Sequence, residues 1–257
     1  MSSDRNFDDL AERFSKRIYG SLKGQIRQQV IWRDLAQHTP EISSSPLRVL
    51  DIGGGLGQFA IKMAELGHHV TYNDISIEMT KKAQEFAAQA KVNDVIQWFS
   101  GPYQELIKEP LAPYDIVLCH AVLEWLQEPD QIIPAISNLL KPKGVLSLCF
   151  YNPAGKIYRN LICGNFNFIN NMDKRPSDKG SLTPNNPCAP EQVKEWLLDN
   201  HFSIQQESGI RVFHDYVREK RGGHQISEEV LKMELLFSNQ TPYKHMGRYL
   251  HILANKN

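Results

Sequence analysis

LRVLDIGGGLG, residues 47–57, reads as a buried strand that ends in an acid and turns on glycines into a helix. Leu47, Val49, Leu50 and Ile52 supply the apolar run. Gly53, Gly54, Gly55 and Gly57 make a turn without Cβ atoms, where backbone can approach a ligand closely. The following QFAIKMAELG has Ala60, Ile61, Ala64 and Leu66 spaced to face a sheet from a helix. Together these features form a βα turn of the nucleotide-binding kind.

Outward from that turn, strand and helix alternate. HHVTYND (68–74) predicts a second strand ending in Asp74, and residues 76–91 a helix with Ser76 as N-cap and Glu78 in its first turn. Residues 95–101 predict a third strand, followed by a short helix from Tyr103 to Lys108. YDIVLCHAVLEWL (114–126) predicts a fourth strand running into a helix, and residues 130–141 continue helically to the turn Lys143-Gly144 before strand five, VLSLCFYN. Short connections imply a mostly parallel, Rossmann-like α/β sheet with helices on both faces. Ligands of such sheets sit beyond the carboxyl ends of the strands, here residues 51–55, Asp74, residues 101–104 and His120.

The flanks complete one domain of 257 residues. Residues 7–37 predict two amphipathic helices with a break near YGSLKG, and residues 1–46 form a helical cap before the cofactor-binding core of 47–152. Residues 153–190, rich in Asn, Pro, Gly and Lys, break the rhythm and predict a partly helical substrate arm. Residues 191–257 close the fold: a helix over 190–200 opened by Pro190, a sixth strand over 202–213, a helix over 226–239 and a last strand over 247–256, seven strands in all.

Composition narrows the classes. No run of about 18 apolar residues exists, which excludes a membrane-spanning helix from the expectation. Cys119, Cys149, Cys163 and Cys188 contain no CxxC pair, so no structural metal is expected, and reduced thiols predict a cytoplasmic protein. Net charge is zero but uneven, at +2 over residues 1–50, −7 over 51–140 and +5 over 141–257. A polyanionic partner would meet the C-terminal half.

The glycine turn admits a dinucleotide, another adenosine cofactor, or no ligand at all. A nicotinamide site expects G-x-G-x-x-G, whereas Gly53, Gly55 and Gly57 give G-x-G-x-G with Gln58 at the third position. Asp51 directly before the turn would repel a pyrophosphate. It suits S-adenosylmethionine, which carries an ammonium and a sulfonium and no phosphate. Asp74 can accept hydrogen bonds from both ribose hydroxyls.

DIGGGLGQ with Asp74 resembles the class I S-adenosylmethionine-dependent methyltransferases. RNFDDLAERF, IYGSLKGQIR, CHAVLEW, GVLSLCFYN, RVFHDYVREK and GRYLHI extend the resemblance over nearly the whole chain. They are similar to the bacterial tRNA 5-carboxymethoxyuridine methyltransferases, which esterify a modified uridine at the wobble position. The resemblance implies a cofactor site of Gly53 and Gly54 at the turn, Asp51 before it, and Asp74 on the ribose. It further implies Tyr103 and Gln104 beside adenine, with His120 and the Arg27 guanidinium at the methionine end.

A carboxylate nucleophile is already ionised at neutral pH, so methyl transfer to it needs no general base. No catalytic acid–base pair is therefore expected. A cation should hold the substrate carboxylate, and Arg211, His214, Tyr151 and Arg248 are the candidates; Arg211 and Arg248 could instead pair with Asp215 or Glu219. Tyr158, Arg159, Phe166, Phe168, Lys174, Arg175 and Lys179 give the arm the aromatic and basic content that suits a tRNA anticodon loop. The alternatives are the same fold acting on a small-molecule carboxylate or quinone precursor, and an adaptor that binds the cofactor without transferring its methyl group.

Overall fold

Burial on both faces explains why the central strands are almost continuously apolar. In the computed structural model, which describes residues 4–8, 21–172, 184 and 186–257, β1 (Arg48–Ile52) sends Val49 into the core on one side and Leu50 and Ile52 into the core on the other. Each such side chain contributes about 2 kcal/mol when removed from water. That burial holds in place the strand that carries Asp51 into the interior.

β2 (His69–Asp74), β3 (Ile96–Ser100), β4 (Tyr114–His120), β5 (Leu140–Tyr151), β6 (Phe202–Ile210) and β7 (Tyr249–Lys256) complete a seven-stranded sheet in the order β3-β2-β1-β4-β5-β7-β6. The first five run parallel, and β7 is antiparallel to both β5 and β6. The order reverses between β1 and β4, so the ends of β1, β2 and β4 open onto one crevice.

Helices α1 (Leu22–His38), α2 (Gln58–Glu65), α3 (Ile77–Gln89), α4 (Tyr103–Leu106) and α5 (Ile132–Leu139) precede the arm helices α6 (Pro153–Ile162) and α7 (Phe166–Ile169). α8 (Pro190–Asp199) and α9 (Ser227–Phe237) follow. α1 buries Ile26, Val30, Ile31 and Leu35 in the core that also holds Val49 and Leu253. Most of the predicted cap helix is thus a layer of the sheet, and only its first turns reach the ligand crevice. The helix expected before it lies largely outside the described residues, and residues 4–7 have no helical structure.

Several boundaries differ from expectation, among them the start of β5, which takes in Leu140–Gly144 where the end of a helix and a turn were expected. The segment after His120 forms a short 3-10 turn, Leu123–Trp125, and not a helix continuing the strand. β6 stops at Ile210 because Arg211 takes φ +63°, a left-handed conformation that breaks the ladder. In the arm, α6 packs on the 3-10 turns His214–Tyr216 and Tyr243–Met246. Lys174, Arg175 and Lys179 fall outside the described residues.

Candidate functional site

The floor of the crevice is set by close backbone approach. Gly53 has φ +65°, and a Cβ there would collide with Val122. A Cβ on Gly54 would lie 2.6 Å from the Tyr72 ring. The Tyr72 hydroxyl donates to the Gly55 carbonyl at 2.6 Å. Asp74 fixes the turn from the other side, accepting from the Gly55 and Ser76 amides at 2.8 Å each. Two lone-pair directions on its carboxylate remain for a ligand.

Asp51 and Asp74 are both buried. Burial, followed by the nearby Asp74 charge, pushes Asp51 up to about 7, against the pull of Arg27. Asp74 is pushed up to about 6 by burial, which outweighs its two backbone hydrogen bonds. Two buried acids with little compensating charge make a site for a cation.

A cavity of about 450 Å³ opens above this floor. Arg27, Asp51, Gly53, Gly54, Asp74, Tyr103, Gln104 and His120 all line it, as does Arg211. Tyr103 and Gln104 begin α4, beyond β3 and on the Asp74 side. His120 ends β4, its ring edge-on to Phe59 at 4.7 Å between centroids. Burial drives the His120 imidazole well below its ordinary value, so it is neutral.

Residues 4–8 form a strap over the Asp74 side of the cavity that sequence periodicity did not reveal. The Arg5 amide donates to the Trp125 carbonyl at 3.1 Å, and Phe7 packs edge-on against Trp125 at 4.8 Å. Asp4 accepts from the Gln104 side chain and the Gln127 amide, both at 2.9 Å. Asp8 accepts from the Ser76 hydroxyl at 2.6 Å and the Glu78 amide at 3.1 Å, adding a second acid at the start of α3. These bonds link residues some 70 to 120 positions apart, which local pattern cannot show.

The opposite end of the cavity is cationic. The Arg27 and Arg211 guanidinium carbons each lie 5.3 Å from the centroid of the Tyr249 ring. Arg211 is set by the left-handed turn that it begins. Glu234 of α9 accepts from the amides of Val212, Phe213 and His214 at 2.7, 3.2 and 2.8 Å, so one buried carboxylate holds the turn. Arg211 also lies 3.6 Å from Asp215, which Lys23 approaches to 3.2 Å.

The other three carboxylate candidates do not line the cavity. Arg248 stacks on Tyr151 at 5.0 Å. The His214 amide is bound to Glu234, and burial lowers the imidazole of His214. Glu219 pairs with Arg221 at 2.5 Å and with neither candidate arginine. Among the described residues, no group of His, Cys, Asp and Glu could hold a metal ion, and no helix is long and apolar enough to cross a membrane.

Comparison with known proteins bears on the family and the fold. Residues 50–148 match the family model described as a methyltransferase domain. The chain is 43% identical to the tRNA 5-carboxymethoxyuridine methyltransferase of Escherichia coli K12 over 254 residues, 98% of this chain and 97% of that one. A ubiquinone biosynthesis O-methyltransferase from Psychrobacter cryohalolentis is 28% identical over 68% of this chain and 66% of its own. Among solved structures, magnesium protoporphyrin IX methyltransferase from Synechocystis PCC 6803, with S-adenosylhomocysteine bound, superposes with a TM-score of 0.64 at 18% identity. That match covers 98% of this chain and 96% of the other.

Proposed function

The chain belongs to the tRNA 5-carboxymethoxyuridine methyltransferase family, and from its site we propose that it esterifies the carboxylate of 5-carboxymethoxyuridine at the tRNA wobble position. S-adenosylmethionine is the methyl donor. The product is 5-methoxycarbonylmethoxyuridine. The observation that carries this reading is the pair Arg27 and Arg211 on one Tyr249 ring, at the end of the cavity opposite Tyr103 and Gln104. Two guanidiniums match two carboxylates, the cofactor's own and the substrate's.

The residues present fit the cofactor. Asp74 offers its free lone pairs to the ribose diol, with Tyr103 and Gln104 beyond it for adenine. The glycine turn leaves room that a Cβ would fill, and Asp51 faces the positive charge of the ligand. Arg27, which acts electrostatically on both Asp51 and His120, marks the amino-acid end. When bound, S-adenosylmethionine supplies a methyl group made electrophilic by its sulfonium.

The protein's work at the substrate end is alignment. Arg211 holds the substrate carboxylate by a fork of N–H donors, leaving one oxygen directed at the methyl carbon. The nucleophile is ionised already, so no side chain need take a proton from it. Phe59, edge-on to His120, and Val122 give the cavity apolar walls that limit hydration of that oxygen. On the Arg211 side, the arm presents exposed Tyr158, Arg159 and Phe166, and Lys156 lies 5.3 Å from the Phe168 ring. These groups suit unstacked anticodon bases and their phosphates.

The test is methyl transfer to tRNA from a strain lacking the ester, followed by nucleoside mass spectrometry. A new nucleoside heavier by one methylene, reverting to the acid under mild alkali, is expected. An alkali-stable product would refute esterification. Methylation of small carboxylic acids with tRNA left untouched would move the substrate to the small-molecule class.

A further inference from the structure

The cavity has a second cation at its substrate end that alignment of the carboxylate leaves unused. Lys23, in the first turn of α1, lines the cavity together with Ser21, Gly24 and Arg27. Its side chain is 57% exposed against 14% for Arg211, so Lys23 is the outer of the two and Arg211 the inner. One carboxylate joins them. Asp215, whose side chain is 7% exposed, lies 3.2 Å from Lys23 Nζ through Oδ1 and 3.6 Å from Arg211 Nη2 through Oδ2. An ammonium has three donors, so this ion pair fixes where Lys23 sits without using it up.

The local charge leaves room for two anions. Burial opposes ionisation of Asp215, but Arg211, Lys23 and Arg248 overcome it and hold the carboxyl below its ordinary value. Asp215 is thus one anion among three cations. Glu234, the other acid on this turn, already accepts the amides of Val212, Phe213 and His214. Arg248 does not line the cavity, so the surplus positive charge is presented by Arg211 within and Lys23 outside it. The N-terminal end of α1 adds to that field. Lys23 also acts electrostatically on His214, as Lys220 does, which places it where the cavity meets the basic turn.

A carboxymethoxyuridine within an RNA strand carries two anions in the matching arrangement. Its carboxylate hangs from C5 of the base, and in the anti conformer that edge of a pyrimidine lies over the 5′ side of the sugar. The 5′-phosphate is therefore the neighbouring anion, and it stays outside when the base enters. We propose that Lys23 binds the phosphate on the 5′ side of the modified uridine while Arg211 holds its carboxylate, with Asp215 positioning the two cations. This rests on the esterification reading above. The division suits the two side chains: a phosphate at the rim needs a point charge on a flexible stem, whereas a carboxylate aimed at a methyl group needs a rigid fork. A small carboxylic acid has no phosphate to offer, so Lys23 favours a nucleotide within a strand over a small molecule with the same carboxylate.

A cycle of two changes tests it, one in the protein and one in the RNA. tRNA is ligated around a synthetic anticodon fragment whose linkage 5′ to the modified uridine is either the natural phosphodiester or a neutral methylphosphonate. Lys23→Met keeps the stem and removes the charge, and should lower kcat/KM on the natural tRNA about tenfold. The neutral linkage should cost the wild type about as much, and Lys23→Met nothing further. Losses that multiply would overturn the proposal, as would an unchanged kcat/KM for Lys23→Met on natural tRNA. Lys23→Arg should return activity to within about threefold of wild type. Calorimetry with S-adenosylhomocysteine should give the same Kd for all three proteins to within about twofold. A weaker Kd in Lys23→Met would assign Lys23 to the cofactor and refute the phosphate contact. Failure of the wild-type protein to esterify the natural tRNA would instead strike at the esterification reading itself.

Discussion

Asp51 and Asp74 face one cavity from adjacent strands, and their ionisation couples ligand binding to pH. Both sit above the ordinary carboxylate value, at about 7 and about 6, chiefly because they are buried. A raised carboxylate binds more protons in the native than in the unfolded state. The ligand-free protein therefore loses this contribution to stability as pH rises from about 4 towards 7. The proposed cofactor site requires the opposite, an ionised Asp51 against the positive charge of the ligand. Between pH 8 and pH 6 Asp51 falls from about 90% to about 10% ionised. Cofactor affinity should drop by up to about tenfold over that interval in calorimetry, and a flat profile would deny Asp51 its role. On the proposed cofactor reading Asp74 takes two charge-assisted bonds from the ribose, so Asp74→Ala should weaken cofactor binding by about a hundredfold or more; unchanged affinity would take Asp74 out of the site. Arg211→Ala should behave differently, raising KM for modified tRNA about tenfold to a hundredfold with the cofactor Kd unchanged. Equal loss of both would show that Arg211 serves the cavity as a whole.

At the scale of elements, the turn from Arg211 to His214 depends on a helix more than twenty residues away. Glu234 receives three amide bonds there, one of them at 2.7 Å. Glu234→Ala leaves those amides without their acceptor and should cost about 3 kcal/mol in denaturant unfolding, together with a raised KM for tRNA. Lost stability with an unchanged KM would mean that Arg211 keeps its place without the clamp. This dependence explains why the strand over 202–213 was read three residues too long. Arg211, Val212 and Phe213 have nothing in their sequence that ends a strand, because the break is made by Glu234. The parallel core was legible for the converse reason. Leu50, Ile52 and the glycines after them state burial and turn geometry locally, and they locate Asp51, Asp74 and His120 at strand ends without long-range information. The 4–8 strap and the Lys23–Asp215 contact were not legible, since each joins segments that only the closed sheet brings together. YDIVLCHAVLEWL reads as a strand running into a helix, yet only a 3-10 turn forms after the left-handed Ala121.

Across the whole molecule, zero net charge conceals a separation that bears on the partner. Residues 51–140, which carry the acids of the cavity floor, sum to −7, whereas residues 141–257 sum to +5. A polyanion is thus repelled from the cofactor turn and drawn to the arm and the turn beside it. There Lys156, Arg159, Arg218 and Lys220 lie on neighbouring segments, with Arg159 donating to the Asp215 carbonyl at 3.3 Å. If these four cations each neutralise one phosphate of the anticodon loop, log affinity should fall with log salt at a slope of about −3. Raising salt from about 50 to about 200 mM would then weaken tRNA binding about fiftyfold. Cofactor binding, buried and limited to a single small ligand, should change little over the same range. Replacing Arg159 and Arg218 with Ala together should reduce the slope by about 1.4, while leaving unfolding midpoints near those of the wild type. Fluorescence anisotropy with an anticodon stem-loop measures both effects. A slope near zero would mean that the loop is held by base stacking alone, and an unchanged slope in the double variant would place the phosphate contacts elsewhere on the molecule.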